Sequence, residues 1–290
     1  MTKWNDLVDS IKDRPSWQRL VALGRRQWGV PLGEWRQALA KAAPSSFDRG
    51  TPTRVESKRL GSLMAWLDQD HPIELWLGEA LFYGRLFAVR SGVLLPRTDT
   101  EWVVDKAVQM LRRGPWHTVL ELGSGSGVMG LTIALECPHV QVVSWEVSQR
   151  ALQLTRLNHR RHPCDNHVLK AGSFFSVRTG APTLLGPHTI MVCNPPYIPT
   201  GDWAHLSPSV RQHDPRMALD GGTDGTSFYR RLMRLAQRHR VPLLAEMGWH
   251  QADAVHQLAR QRGLVASVFP DLSGHDRMVL VHGADRNIQI

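Results

Sequence analysis

The chain is predicted to be an α/β protein: a mainly parallel, seven-stranded sheet, preceded by a helical segment and a β-hairpin. Three observations predict it. From Glu101 onward, short apolar runs alternate with helical stretches, the pattern of a parallel sheet covered by helices on both faces. Ahead of this, the first 75 residues carry apolar side chains at helical spacing. Between the two, apolar runs flank a short polar turn.

In chain order, Leu7, Ile11, Trp17, Leu20, Val21 and Leu23 set the first helical pattern. Ala43-Pro-Ser-Ser and Gly50-Thr-Pro-Thr break it, and Leu60, Leu63, Met64 and Leu67 resume it. Leu81–Val89 and Val93–Leu95 flank Arg90-Ser-Gly and read as a hairpin that Pro96 and Arg97 end. Seven strands are then expected at 118–122, 140–147, 167–170, 189–193, 241–246, 265–269 and 278–282. Helices are expected to begin at Val128, Gln149 and Ser227, and the last to run through Ala252, Val255 and Ala259. In such sheets ligands bind at the carboxyl ends of the strands.

Composition limits the function. At 290 residues, 42% hydrophobic and 21% charged, the chain can bury a sizeable core and is neither disordered nor a small disulfide scaffold. No apolar run approaches the roughly 18 residues of a membrane span, and residues 1–14 lack a secretory apolar stretch. Three cysteines without CxxC spacing argue against structural zinc and disulfides, and the 14 histidines lack ligand spacing, so no metal is expected. A reducing cytoplasm is the expected compartment. The net charge of +9 is mostly arginine, since only six lysines occur. It reflects either genome composition or an acidic partner, nucleic acid or protein.

Two loops carry the chemistry. Val119-Leu-Glu-Leu-Gly-Ser-Gly-Ser-Gly127 is an apolar strand running into alternating glycines and then a helix. A dinucleotide fingerprint requires G-x-G-x-x-G directly after the strand. Counted from Gly123, its third glycine falls on Val128. The G-x-G-x-G form, with Glu121 just before it, resembles the loop of S-adenosylmethionine-dependent methyltransferases. Glu146, 19 residues after Gly127 at the end of the next strand, stands where a carboxylate can accept both hydroxyls of a ribose. An adenosine ligand is therefore expected.

The second loop is Met191-Val-Cys-Asn-Pro-Pro-Tyr-Ile-Pro199. An apolar strand stops at Asn194, two prolines fix the backbone and remove donors, and an aromatic ring follows. Such a loop suits activation of a planar NH2 group. Its two hydrogens can be accepted by the Asn194 side-chain oxygen and the Pro195 carbonyl, which favours the pyramidal nitrogen of the transition state. Tyr197 can pack against the flat group.

With these loops in place, the sequence resembles the HemK-type (PrmC) protein-glutamine methyltransferases of class I, Rossmann-like fold. The segments Pro72-Ile-Glu-Leu-Trp-Leu-Gly78, Gly92-Val-Leu-Leu-Pro-Arg-Thr-Asp-Thr-Glu101, Ala218-Leu-Asp-Gly-Gly-Thr-Asp-Gly225, Ala245-Glu-Met-Gly-Trp-His-Gln251 and Asp271-Leu-Ser-Gly-His-Asp-Arg277 share the likeness. The resemblance implies methylation of the glutamine amide in the Gly-Gly-Gln tip of peptide chain release factors, and so a part in translation termination. It implies S-adenosyl-L-methionine as cofactor, held by Gly123, Ser124, Gly125, Ser126, Gly127, Glu146 and Asn194, with Phe174 against the adenine. Asn194, Pro195, Pro196 and Tyr197 would hold the glutamine, with Asn194, Pro195 and Tyr197 catalytic. It further implies a helical substrate-docking domain at 1–78, a hairpin linker at 79–97 and a catalytic domain at 98–290.

Three departures stand out. Ser173 replaces a usual aspartate, His213 replaces a usual glutamate, and residues 15–30 lack the family's acidic Asp-Ala-Glu stretch. Other readings remain: a nucleic-acid amino-methyltransferase, which shares the four-residue loop, and a cofactor-binding paralogue without turnover. No target-recognition module for a base is seen, so nucleic acid is not the expected substrate.

Overall fold

The computed structural model describes residues 5–176, 184–284 and 288. The chain divides into two compact units, Met1–Ala80 with Ser207–Gln212, and Leu81–Leu206 with His213–Ile290.

In the first unit the apolar spacing produces α1 (Asn5–Asp9), α2 (Arg14–Trp28), α3 (Leu32–Ala42), α4 (Arg54–Asp68) and α5 (Ile73–Leu77). The Asp13 side chain caps α2 by accepting from the Ser16 N–H, and Gly29 ends the helix in the left-handed conformation. Thr53 and Glu56 form a reciprocal capping box at α4. Burial pushes the Glu56 carboxyl upward, but hydrogen bonds from Thr53 and Ser45 outweigh it and hold the pKa at about 2. Trp17, Trp35, Leu39, Leu60, Leu63 and Met64 are buried in this unit's own core. The Trp35 indole donates to the Leu20 carbonyl, and the Trp17 indole to that of Gly50.

The hairpin lies earlier than expected. Its strands are β1 (Glu79–Phe82) and β2 (Arg85–Ala88), and Val93–Leu95 is not a strand. The turn is Tyr83-Gly84, two successive residues at positive φ, which matches the twist of paired strands. Residues 89–97 are therefore connection, tied down by hydrogen bonds from the Gly92 N–H to the His213 carbonyl and from the Leu95 N–H to Asp214. A helix missing from the expectation follows: α6 (Thr98–Arg113), which buries Val103, Val104, Ala107, Val108 and Leu111.

The seven strands then appear at the expected places: β3 (Thr118–Leu122), β4 (Gln141–Glu146), β5 (His167–Ala171), β6 (Thr189–Cys193), β7 (Leu243–Glu246), β8 (Leu264–Pro270) and β9 (Asp276–Gly283). Between them run α7 (Val128–Glu136), α8 (Gln149–Arg161), α9 (Pro208–His213), α10 (Ser227–His239) and α11 (Ala252–Arg260). The sheet order is β5-β4-β3-β6-β7-β9-β8, parallel from β5 to β7, with β9 antiparallel to both its neighbours. Alternate residues serve two cores. Val119, Val142, Ile190 and Leu244 face α6 and α7 on one side, whereas Leu120, Val143, Met191 and Leu243 share a cluster with Tyr229, Leu232 and Val255 from α10 and α11.

Asn158, fully buried on α8, ties the hairpin to the glycine loop. Its oxygen accepts from the Ala88 N–H at 2.7 Å, and its amide donates to the Ala88 and Ser126 carbonyls. Asn158→Ala leaves these groups unpaired, so we expect a loss of about 2–4 kcal/mol, read as a lower urea midpoint. An unchanged midpoint would show that the three bonds are replaceable.

Candidate functional site

The parallel register decides which residues meet at the carboxyl edge of the sheet. Leu122 pairs with Trp145 and Glu146 with Ala171, while Cys193 pairs with Ala245. The Gly123 loop therefore opens beside Glu146, and Asn194 beside Glu246. A cavity of about 300 Å³ lies at this edge, lined by Gly123, Gly125, Trp145, Glu146, Ser173, Phe174, Asn194 and Pro196 among others. A narrower one of about 40 Å³ is lined by Leu94, Arg97, Asn194, Tyr197 and Glu246 together with Ile198, Ala218 and Leu219. Asn194 belongs to both.

The glycine loop turns at positive φ at Gly123, Gly125 and Gly127, a conformation that side chains disfavour. A Cβ on Gly127 would stand 2.9 Å from the Thr155 methyl, whereas one on Gly125 would meet open space. The loop is pinned from both sides. The Gly123 N–H donates to the Trp145 carbonyl at 2.8 Å, and the Gly125 N–H to the Glu146 carboxylate at 2.9 Å. The other Glu146 oxygen accepts from the Val147 and Ser148 N–H groups. Three backbone donors thus hold this carboxylate and leave part of its acceptor capacity unused.

The structure brings Gly123, Gly125, Glu146, Phe174, Asn194 and Pro196 onto the larger cavity and Tyr197 onto the narrower one. Ser124, Ser126 and Gly127 form the layer behind, where the Ser124 hydroxyl meets that of Thr155 at 3.0 Å. Pro195 is buried within its loop. Phe174 packs edge-on against Trp145, with ring centres 5.7 Å apart. The departure at Ser173 lies on the cavity wall. That at His213 lies outside it, where the ring approaches the Ser91 hydroxyl at 3.3 Å.

Two site residues carried no role in the sequence reading. Glu246, ending β7, accepts from the Thr100 hydroxyl at 2.6 Å and from the Tyr197 hydroxyl at 3.1 Å. Thr100 in turn accepts from the Asn194 amide at 3.0 Å. Burial pushes Glu246 up to about 7, against the pull of the two hydroxyls and Arg277. Burial and the facing carboxylate raise Tyr197 well above the ordinary range, so it keeps its proton. The signal for Glu246, an acid ending an apolar strand, is the one that singled out Glu146.

Glu121 sits beneath the loop, fully buried. It accepts from the Gly130 N–H at 2.9 Å and from the Ser144 hydroxyl, which also meets His167. A side chain at residue 130 would collide with this carboxyl group. Burial pushes Glu121 up to about 8 and His167 down to about 4.

A family model described as the methyltransferase small domain matches residues 104–205. A release factor glutamine methyltransferase of Geobacter sulfurreducens is 38% identical over 224 residues, covering 75% of each chain. One from Bacillus subtilis strain 168 is 34% identical over 229 residues, covering 73% of this chain and 76% of its own. Among solved structures, the hMettl16 catalytic domain in complex with MAT2A 3'UTR hairpin 1 has a TM-score of 0.54 at 11% identity. It covers 88% of this chain and 93% of its own, and at that identity the likeness concerns the fold alone.

The buried acid gives the site a pH signature. Glu121 rises from an ordinary value of 4.5 to about 8, so its contribution to stability is full below 4.5 and lost as pH climbs toward 8. The melting temperature should therefore fall between pH 6.5 and 8.5. Above 6.5 the depressed His167 already contributes fully, which isolates the acids. Glu121→Gln should flatten the fall, and an equally steep fall in the variant would rule Glu121 out as its source.

Proposed function

The chain belongs to the release factor glutamine methyltransferase family and is a methyltransferase; on that premise we propose that it methylates, from S-adenosyl-L-methionine, the glutamine side-chain amide in the Gly-Gly-Gln motif of a peptide chain release factor. One observation carries the proposal: Asn194 lines both cavities. An electrophile in the larger one and a planar amide in the narrower one would meet at its side chain.

The residues of the larger cavity fit the cofactor. Its volume is at the lower end for small-molecule sites, and the space beside Gly125 is open to a ligand. Glu146 would accept the ribose hydroxyls with the lone pairs its backbone donors leave. Phe174 and Trp145 would enclose the adenine, and Gly123 and Gly125, backed by Ser124, Ser126 and Gly127, would face the methionine part. When bound, S-adenosylmethionine supplies a methyl group made electrophilic by a sulfonium.

The chain's own part is to prepare the nitrogen. The Asn194 oxygen and the Pro195 carbonyl would accept the two amide hydrogens, so that the lone pair develops toward the larger cavity. Pro196 would hold that carbonyl in place, and Tyr197 would pack against the amide plane. Residues 1–78 would serve as the substrate-docking domain, 79–97 as the linker and 98–290 as the catalytic domain. The charge of +9 would speed encounter with an acidic partner, so the rate should fall with added salt. A cytoplasmic place in translation termination, without nucleic acid as substrate, completes the reading.

The deciding experiment incubates the protein with labelled S-adenosylmethionine and a release factor, its Gly-Gly-Gln Gln→Ala variant, or DNA. Label should enter only the intact factor, and preferential labelling of DNA would refute the proposal. Asn194→Ala should lower kcat by about 10²–10³ while cofactor still binds. An active Asn194→Ala enzyme would remove Asn194 from the mechanism. Gly125→Val should abolish cofactor binding in calorimetry, and unchanged binding would displace the cofactor from this cavity.

A further inference from the structure

We propose that Thr100 and Glu246 are positioning residues that fix which face of the Asn194 amide meets the substrate. The inference rests on the methyltransferase reading for its kinetic consequence, though not for its geometry. An asparagine amide has two ends of nearly equal shape, one donating and one accepting. Only the accepting end can take an N–H of a target amide. Presented the other way round, Asn194 would oppose donor to donor, so a device that chooses between the two orientations is required for turnover.

The choice follows from proton counting along the network. Glu246, buried at the end of β7 with only 1% of its surface exposed, accepts from Thr100 at 2.6 Å. The single hydroxyl hydrogen of Thr100 is thereby committed, and toward Asn194 the hydroxyl can only accept. The Asn194 group at 3.0 Å must then be its NH2 end. The oxygen is left facing away from Thr100, in a residue that lines both cavities. The second Glu246 oxygen accepts from Tyr197, so one carboxylate orients both polar side chains of the Asn194–Tyr197 loop.

The device requires ionised Glu246. A protonated carboxyl donating to Thr100 would free the hydroxyl hydrogen and relax the choice. The groups facing Glu246 oppose one another. Asp99 on α6 favours protonation, Arg277 on β9 favours ionisation, and the Thr100 and Tyr197 hydroxyls donate to it. Arg97 shares the narrow cavity with it, Cys193 of β6 interacts with its charge, and the Tyr229 hydroxyl of α10 donates to its backbone carbonyl. Turnover should therefore rise with pH through about 7, where Glu246 ionises.

The test uses the full-length protein and two readouts. In the first, Thr100→Val removes the hydroxyl at nearly constant volume and Thr100→Ser keeps it. With a release factor as substrate, Thr100→Val and Glu246→Gln should lower kcat by about ten- to a hundredfold with cofactor affinity unchanged. Thr100→Ser should restore kcat to within about twofold of wild type, as expected for a role of the hydroxyl rather than the methyl. The second readout needs no substrate. The Asn194 side-chain NH2 resonances, assigned with Asn194→Asp, should titrate near pH 7 in the wild type but not in Glu246→Gln. Equal loss in Thr100→Ser and Thr100→Val, or Asn194 resonances indifferent to both pH and Glu246→Gln, would overturn the proposal. A wild-type enzyme that leaves the release factor unlabelled, yet shows the titration, would refute the substrate and keep the positioning device.

Discussion

The parallel register of the central strands is the constraint on which the site depends. Each of β3, β4, β6 and β7 ends at the same edge, because their apolar residues must alternate in step between two helix layers. A slip of one residue in β4 would bury the Glu146 position in a core and part it from the Gly125 N–H. The same slip in β7 would part Glu246 from Thr100. The core that stabilises the sheet and the geometry that could serve chemistry are thus set by one pattern of side-chain alternation.

Three acids show how that edge handles charge. Glu121 lies below the loop with too few donors to offset its burial, so it is pushed to about 8. Glu246, with two hydroxyls and a nearby arginine, rises only to about 7. Glu146 receives three backbone N–H groups and lies at the cavity wall. The three share a side-chain type, lie at or one residue before the end of a strand, and differ in the donors around them. A strand-end acid is therefore distinguished by its surroundings as well as by its place in the sequence.

What was legible in the sequence was what local chain chemistry determines. Alternating glycines after an apolar strand, a strand-end acid and Asn-Pro-Pro-Tyr each carry their geometry in a few adjacent residues, and the cavity gathers Gly123, Gly125, Glu146 and Asn194. The hairpin was misplaced because its turn puts Tyr83, a bulky residue, at φ 48°, and only Gly84 beside it advertises a turn. Helix α6 lies outside the sequence expectation although Val103, Val104, Ala107, Val108 and Leu111 recur at helical spacing. Thr100 and Glu246 stayed silent for another reason. They lie 146 positions apart and meet only after the sheet has formed.

The tryptophan content has a physical reason in the first unit. Five of the chain's eleven tryptophans, Trp17, Trp28, Trp35, Trp66 and Trp76, belong to the core cluster of that unit or pack against it. A bundle of short helices has little apolar surface per residue to bury, and large rings supply more of it than aliphatic side chains do. Each indole also carries an N–H that must be satisfied. Trp17, Trp35 and Trp66 donate to the carbonyls of Gly50, Leu20 and Pro72, and Trp28 to Asp68, joining segments 6 to 40 residues apart. The rings therefore fill the core, and their N–H groups also join α3 to α2, α2 to α4, and the helices to the irregular stretches at Gly50 and Pro72.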